Sequence, residues 1–277
     1  MVFLKPSSRL FQHVLPVLFF VLAPDLIFTA GISDSDRGNG SLENRLVISI
    51  DSVTGASLYA EDDETEVITR SFSPGRIPKA LIVHADPKND NLTAALRDRM
   101  AEILVSQGWE VEVRSLYEDS FNPVATADEV SYQKPSPDSI DPQVAEYQAL
   151  ITKADAIVLV YPLWWKQPPA MLKGWQDRVF SYGFAYEFVN NSPDSVISLL
   201  AGKKLLIINV AASSKDTYED QGYLHYLDLA DASLYGASGI ELARRHIIYS
   251  STKMGMNEKK DCLEELSTLV PLIMPSY

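Results

Sequence analysis

The sequence predicts an α/β protein: a parallel sheet with helices packed on both faces. Three observations carry this reading. Five short strand-like runs, Ala80–His84, Glu110–Ser115, Ala156–Tyr161, Lys204–Val210 and Glu241–Ile248, are spread along the chain. Helical patterns fall between them, and that alternation implies βαβ units. The third run, AIVLVY, has no polar alternation, as suits a strand buried on both faces.

Each element has its own signal. After the first strand, Asn91 is placed to cap a helix. Its apolar face runs through Leu92, Leu96, Met100, Ile103 and Leu104 and ends at Gly108. Glu110–Ser115 is strand two. A Pro- and Asp-rich connection then leads to a helix over Val144–Ala154. Ala156–Tyr161 is strand three, stopped by Pro162, which has no N–H to give a sheet ladder. Pro168 and Pro169 suit a first helical turn. Met171, Leu172, Trp175 and Val179 then share one helix face, with Lys173, Gln176 and Asp177 expected outward. Residues 181–202 read as an insertion. Lys204–Val210 is strand four, and Ala211–Gly236 a mixed loop and helix. Glu241–Ile248 is strand five. A closing helix is expected over Asn257–Met274, with Leu263, Leu266, Leu269, Val270 and Ile273 inward.

The chain divides into three expected segments: 1–32, 33–76 and 77–277. In the first, Lys5 and Arg9 precede the apolar run Val14–Ala23, which fits a secretory signal peptide. Residues 10–32 offer a membrane anchor as a second reading, although Pro16, Pro24 and Asp25 interrupt the span of about 20 apolar residues needed. An extension that targets nothing is the third. Residues 33–76 are acidic, with a cluster from Glu61 to Glu66, and read as a flexible linker with a short strand at Leu46–Ile50. The folded domain is expected from Ile77 onward.

Composition narrows the function. The 277 residues are 46% hydrophobic, enough for one good core with an appendage. A net charge of -13 argues against a nucleic-acid surface, which needs clustered Lys and Arg. The one cysteine, Cys262, rules out an intramolecular disulfide and a CxxC motif. The four histidines, His13, His84, His225 and His246, have no metal-ligand spacing, so no metal site is expected. There is no G-x-S-x-G elbow, and no G-x-G-x-x-G follows strand one.

The chemistry is expected beyond the carboxyl ends of the strands, where open α/β sheets bind ligands. After strand one, a polar loop meets a helix N-terminus, whose backbone N–H groups suit a phosphate. Lys88, Asn91 and Thr93 add side-chain contacts. After strand three, Trp164 and Trp165 offer flat apolar surface to a planar ring.

One stretch is more specific. Pro162-Leu163-Trp164-Trp165, Pro169 to Trp175, Asp177-Arg178-Val179 and Phe184-Ala185-Tyr186 stand in ungapped succession. They resemble the signature of the NAD(P)H quinone dehydrogenase family of flavodoxin-like flavoproteins. That pattern is Pro-Leu-x-Trp, then Pro-Ala-x-Leu-Lys-Gly-Trp, an acidic residue with Arg-Val, and Phe-Ala-Tyr. The resemblance covers roughly residues 79–250 and is strongest over 156–188.

It implies a flavodoxin-like, doubly wound, five-stranded parallel sheet of order 2-1-3-4-5. It implies a flavin, FAD or FMN, with NAD(P)H as co-substrate, a quinone or similar planar acceptor, and a homodimer. Asp86, Lys88, Asn91, Leu92 and Thr93 would hold the flavin phosphate. Pro162, Leu163, Trp164, Trp165 and Lys166 would line the ring, and Ala211, Ala212, Ser213 and Ser214 its pyrimidine edge. Tyr218 and His225 would stabilise charge on the reduced ring, and Tyr186, Phe188 and Trp165 would border the substrate. Three positions depart from the pattern. Asp86 replaces a histidine, Lys166 stands where an aromatic is common, and two loop glycines are absent from 211–214. Tyr218 and Gln221-Gly222 match, and His225 matches after one extra residue.

The functional expectation is a flavin-dependent NAD(P)H:quinone oxidoreductase. The alternatives are an azo- or nitro-reductase of the same fold, or a binding or regulatory protein without turnover. The chain also carries the sequons Asn39-Gly40-Ser41, Asn91-Leu92-Thr93 and Asn190-Asn191-Ser192. A glycan on Asn91 would obstruct the phosphate loop, so a cytoplasmic flavin domain is expected.

Overall fold

The computed structural model describes residues 26–33, 45–52, 76–190 and 192–275. The chain divides into two units, Met1–Phe72 and Ser73–Tyr277. In the first, the strands Leu26–Ser33 and Arg45–Ser52 pair antiparallel, from Leu26 opposite Ser52 to Ser33 opposite Arg45. The short strand expected at Leu46–Ile50 is therefore present and longer. Its partner is the tail of the apolar N-terminal segment, which is extended there. The signal-like run Val14–Ala23 lies outside the described residues. Among the described residues, no helix is long and apolar enough to cross a membrane.

The second unit is built on five parallel strands. They are β1 (Lys79–His84), β2 (Glu110–Ser115), β3 (Ala156–Pro162), β6 (Lys204–Val210) and β7 (Glu241–Ile248). Their order is β2-β1-β3-β6-β7, the expected 2-1-3-4-5 of the sheet's own strands. Between β3 and β6 an antiparallel hairpin, β4 (Tyr186–Val189) and β5 (Ser192–Ser198), forms the insertion, with a register shift after Phe188.

Strand alternation sends side chains to two cores. Ala80 and Ile82 of β1 face α1 (Leu92–Ser106), whose Leu96, Met100, Ile103 and Leu104 are buried there. Leu81 and Val83 face α2 (Pro142–Lys153) and α3 (Ala170–Val179). β3 is buried at all seven positions, as its unbroken apolar run requires. On the α3 side, Phe121, Tyr147, Trp175, Phe180 and Tyr235 form a chain of edge-on rings with centroids 5.3–5.8 Å apart.

Two expectations need correction. Gln176 does not face outward: it is 6% exposed, and its Nε2 donates to the Tyr235 hydroxyl at 2.7 Å. The segment after α5 (Tyr223–Asp231) covers that flank of α3. Arg178 on the same helix is also buried. It donates to both Glu129 oxygens and to the Asn122 carbonyl, and lies 3.3 Å from Asp141. The Pro- and Asp-rich connection is thus fastened to α3. The closing helix is not continuous either. α6 (Met256–Glu265) gives way to 3₁₀ turns over Leu266–Ile273, which contain Pro271. Leu266, Leu269, Val270 and Ile273 still point inward, while Leu263 is partly buried.

Candidate functional site

Strand order reverses between β1 and β3, which opens a crevice beyond their carboxyl ends. One wall is the loop after β1. Asp86 is only 5% exposed and turned into its own loop. Its Oδ1 accepts the Lys88 N–H at 3.0 Å, and its Oδ2 accepts from Asn91 Nδ2 at 2.8 Å. Asn91 caps α1 as expected, its Oδ1 accepting the Ala94 N–H at 3.0 Å. The carboxylate that replaces the family histidine is therefore spent on loop geometry. The N–H groups of Leu92 and Thr93 lie in the first turn, where no carbonyl one turn back can take them, and they edge the crevice.

The facing wall is the loop after β3. Pro162, Leu163 and Trp164 enter the crevice. Trp164 and Gln167 then exchange two backbone hydrogen bonds of 3.0 Å across a two-residue turn. The turn residues, Trp165 and Lys166, have φ of 53° and 65°. Such a turn ordinarily takes Asn-Gly, because left-handed backbone crowds a Cβ. Trp165 is 96% exposed, so no burial of its indole offsets the strain. Lys166 reaches across: its Nζ donates to Ser213 Oγ at 2.6 Å and sits 5.0 Å from the Tyr218 ring centre and 5.7 Å from that of Tyr223.

The crevice, open to solvent, has a volume of about 600 Å³, inside the usual range for small-molecule and cofactor sites. Asp86, Lys88, Asn91, Leu92, Thr93, Pro162, Leu163, Trp164 and Ala212, all named from the sequence, line it together. Pro87, Asp90, Val210, Ser251, Thr252 and Lys259 complete the lining, and the last three were not foreseen. They follow the last strand, so the rule about strand ends held the signal for Ser251 and Thr252. Lys259 comes from α6 and needed the closed fold.

Other expected residues lie elsewhere. Trp165, Lys166 and Ser213 border the crevice without lining it, and Ala211 is fully buried. The Ser214 hydroxyl caps α4 (Lys215–Asp220). Tyr218 lies 1% exposed beneath Lys166, between Tyr223 and Tyr249. Burial, with Tyr249 and Tyr223 beside it, pushes its phenol up to about 12. His225 is exposed on α5, and neither it nor Tyr218 lines the crevice. Tyr186 and Phe188 line a separate hollow of about 900 Å³, beside Tyr132 and Tyr182. Among the described residues, no cluster of His, Cys, Asp and Glu is arranged to hold a metal.

A family profile described as a flavodoxin-like fold matches residues 78–268. The chain belongs to that family. Its flavodoxin-like unit is 36% identical over 143 residues to an uncharacterized NAD(P)H oxidoreductase of Haemophilus influenzae, covering 51% of the chain and 68% of that protein. It is 30% identical over 159 residues to the ribosyldihydronicotinamide dehydrogenase [quinone] of Mus musculus, covering 52% of the chain and 68% of that protein. These relatives make it an oxidoreductase of flavodoxin-like fold. The crystal structure of an FMN-dependent NADH-azoreductase from Bacillus anthracis, in complex with FMN, shares the fold with a TM-score of 0.54 and 19% identity. That match covers 72% of the chain and 100% of the azoreductase.

Proposed function

We propose that the chain is a flavin-dependent oxidoreductase that takes hydride from NAD(P)H and reduces a quinone-like acceptor by two electrons. The crevice between the loops after β1 and β3 carries this reading. It joins a helix N-terminus, suited to a phosphate, to an indole-bearing wall, suited to a flat ring. The FMN of the related azoreductase and the quinone in the mouse relative's name support the cofactor and acceptor classes.

The donor set fits a flavin phosphate. Leu92 and Thr93 N–H groups, with Lys88 and Lys259, face the same crevice. Asp86 and Asp90 line the same crevice, so their charge stands against Lys88, Lys259 and the helix N-terminus, while both Asp86 oxygens are held within the loop. Bound flavin, FMN or FAD, would supply the two-electron chemistry. The chain's own work is to hold and orient it. Trp164 and Leu163 would shield a bound ring from water, and the small Ala212 would permit close backbone approach to it. Tyr186, Phe188 and Trp165 are assigned to the acceptor. We place Tyr186 and Phe188 at the face that meets a second copy of the chain in the proposed homodimer. A cytosolic flavin domain is part of this proposal, because a glycan on Asn91 would obstruct the phosphate loop.

The test is direct. Purified protein is expected to be yellow, to bleach with NADPH or NADH, and to recover with a quinone. Extraction then identifies FMN or FAD. Colourless protein that ignores both added flavins would overturn the proposal and favour a binding protein on the same scaffold.

A further inference from the structure

We propose that Lys166 supplies the positive charge that tunes the bound flavin, the task the family pattern assigns to Tyr218 and His225. This rests on the flavin reading above. Four observations lead to it. First, neither expected charge-stabilising residue lines the crevice, Tyr218 being buried under Lys166 and His225 exposed on α5, whereas Lys166 stands at its border. Second, Lys166 leaves a turn whose two central residues both have positive φ, and its side chain is held by the Ser213 hydroxyl and the Tyr218 and Tyr223 rings. Third, its Nζ meets Ser213, the neighbour of the crevice-lining Ala212, in the loop expected at the ring's pyrimidine edge. Fourth, among the described residues no carboxylate pairs with this Nζ. Tyr218 and Tyr223 hold it by their ring faces, which attract a cation without neutralising it.

An ammonium has three N–H donors, and Ser213 takes one. The remaining donors and the uncancelled charge would be available to the edge of a ring bound beside that loop. A hydride brings two electrons and one proton, so the ring that accepts it gains one negative charge while NAD(P)H becomes NAD(P)⁺. A fixed cation beside that charge favours the reduced form over the oxidised one. Lys88 and Lys259 line the crevice with the helix N-terminus, while Lys166 stands beside Ser213 in the loop after β6. Tyr218 then acts as a positioning residue, a platform that keeps the ammonium in place.

The experiment measures the midpoint potential of flavin bound to the full chain, together with the affinity for oxidised flavin. Lys166→Gln is expected to bind oxidised flavin within about twofold of wild type. Its preference for the reduced form should fall about tenfold or more, a drop of about 30 mV per tenfold for a two-electron couple. Lys166→Arg should keep the wild-type potential, and Lys166→Met should repeat the Gln result if Gln disturbs folding. An unchanged potential in flavin-loaded Lys166→Gln would overturn the inference and leave the enzyme reading standing. An equal drop in Lys166→Arg would overturn the charge argument. Wild-type protein that binds no flavin would remove both.

Discussion

At the scale of single residues, the loop after β1 shows how a departure from a family pattern is absorbed. An aspartate beside a phosphate site ought to repel. Here its two oxygens are taken by Lys88 N–H and Asn91 Nδ2, and the same Asn91 caps α1. One amide side chain therefore serves both the loop and the helix. Asn91→Ala should cost about 1–2 kcal/mol from the lost cap. It should also weaken flavin affinity, because the Asp86 carboxylate loses a partner and faces the phosphate. Urea unfolding and flavin titration check the two effects separately. The Arg178 cluster works by related logic. Burial alone would raise the Glu129 carboxyl, but hydrogen bonds from Arg178 and Thr126 hold it below the usual range. Glu129→Ala leaves a guanidinium that is 2% exposed short of its main partner. A loss of about 3 kcal/mol or more is expected by denaturant unfolding.

At the scale of elements, the strands were legible and some of the coverings were not. Glu110–Ser115, Lys204–Val210 and Glu241–Ile248 match their expected bounds, because a covered sheet demands short apolar or alternating runs between breakers. Gln176 was misplaced for a definite reason. Helical periodicity identifies the face of α3 toward the sheet, but not what a later segment lays over its flank. Tyr235, far along the chain, decides that. The crevice walls after β1 and β3 were likewise readable from strand ends, whereas Lys259 depends on where α6 closes. Gly174 makes a sharper point about α3. A Cβ there would lie 2.2 Å from the Pro123 carbonyl oxygen. The glycine of the Lys-Gly-Trp motif lets the connection after β2 lie directly on the helix. Gly174→Ala gains about 1 kcal/mol in helix propensity, yet the backbone clash outweighs it. A net loss of about 2 kcal/mol is expected by thermal or denaturant melts.

At the scale of the whole molecule, stability should depend on pH through His84. This residue is fully buried where β1, β2 and α1 meet. Its Nδ1 lies 3.4 Å from Ser115 Oγ and 3.5 Å from Arg97 Nη1. Among the described residues, its Nε2 has no hydrogen-bond partner. Burial, then the Arg97 charge, pulls it down to about 4, against the smaller opposing pull of Asp86 and Asp98. The unfolded chain takes up this proton below about 6.5, while the fold refuses it until about 4. The stabilisation is therefore present above 6.5 and lost as pH falls toward 4. This group alone should remove about 2 kcal/mol between pH 7 and pH 5. Denaturant unfolding at both pH values measures the loss, and His84→Leu should flatten it.

The exposed turn at the crevice mouth has an optical consequence. Of the four tryptophans, Trp109 and Trp175 are at most 4% exposed, Trp164 is 45% exposed and Trp165 is 96% exposed. Emission excited at the red edge of the absorption band, and quenchable by iodide, reports mainly on Trp165. Two adjacent indoles, Trp164 in the crevice and Trp165 at its mouth, thus report on the entrance, and arrivals there can be timed in stopped flow without attaching a dye.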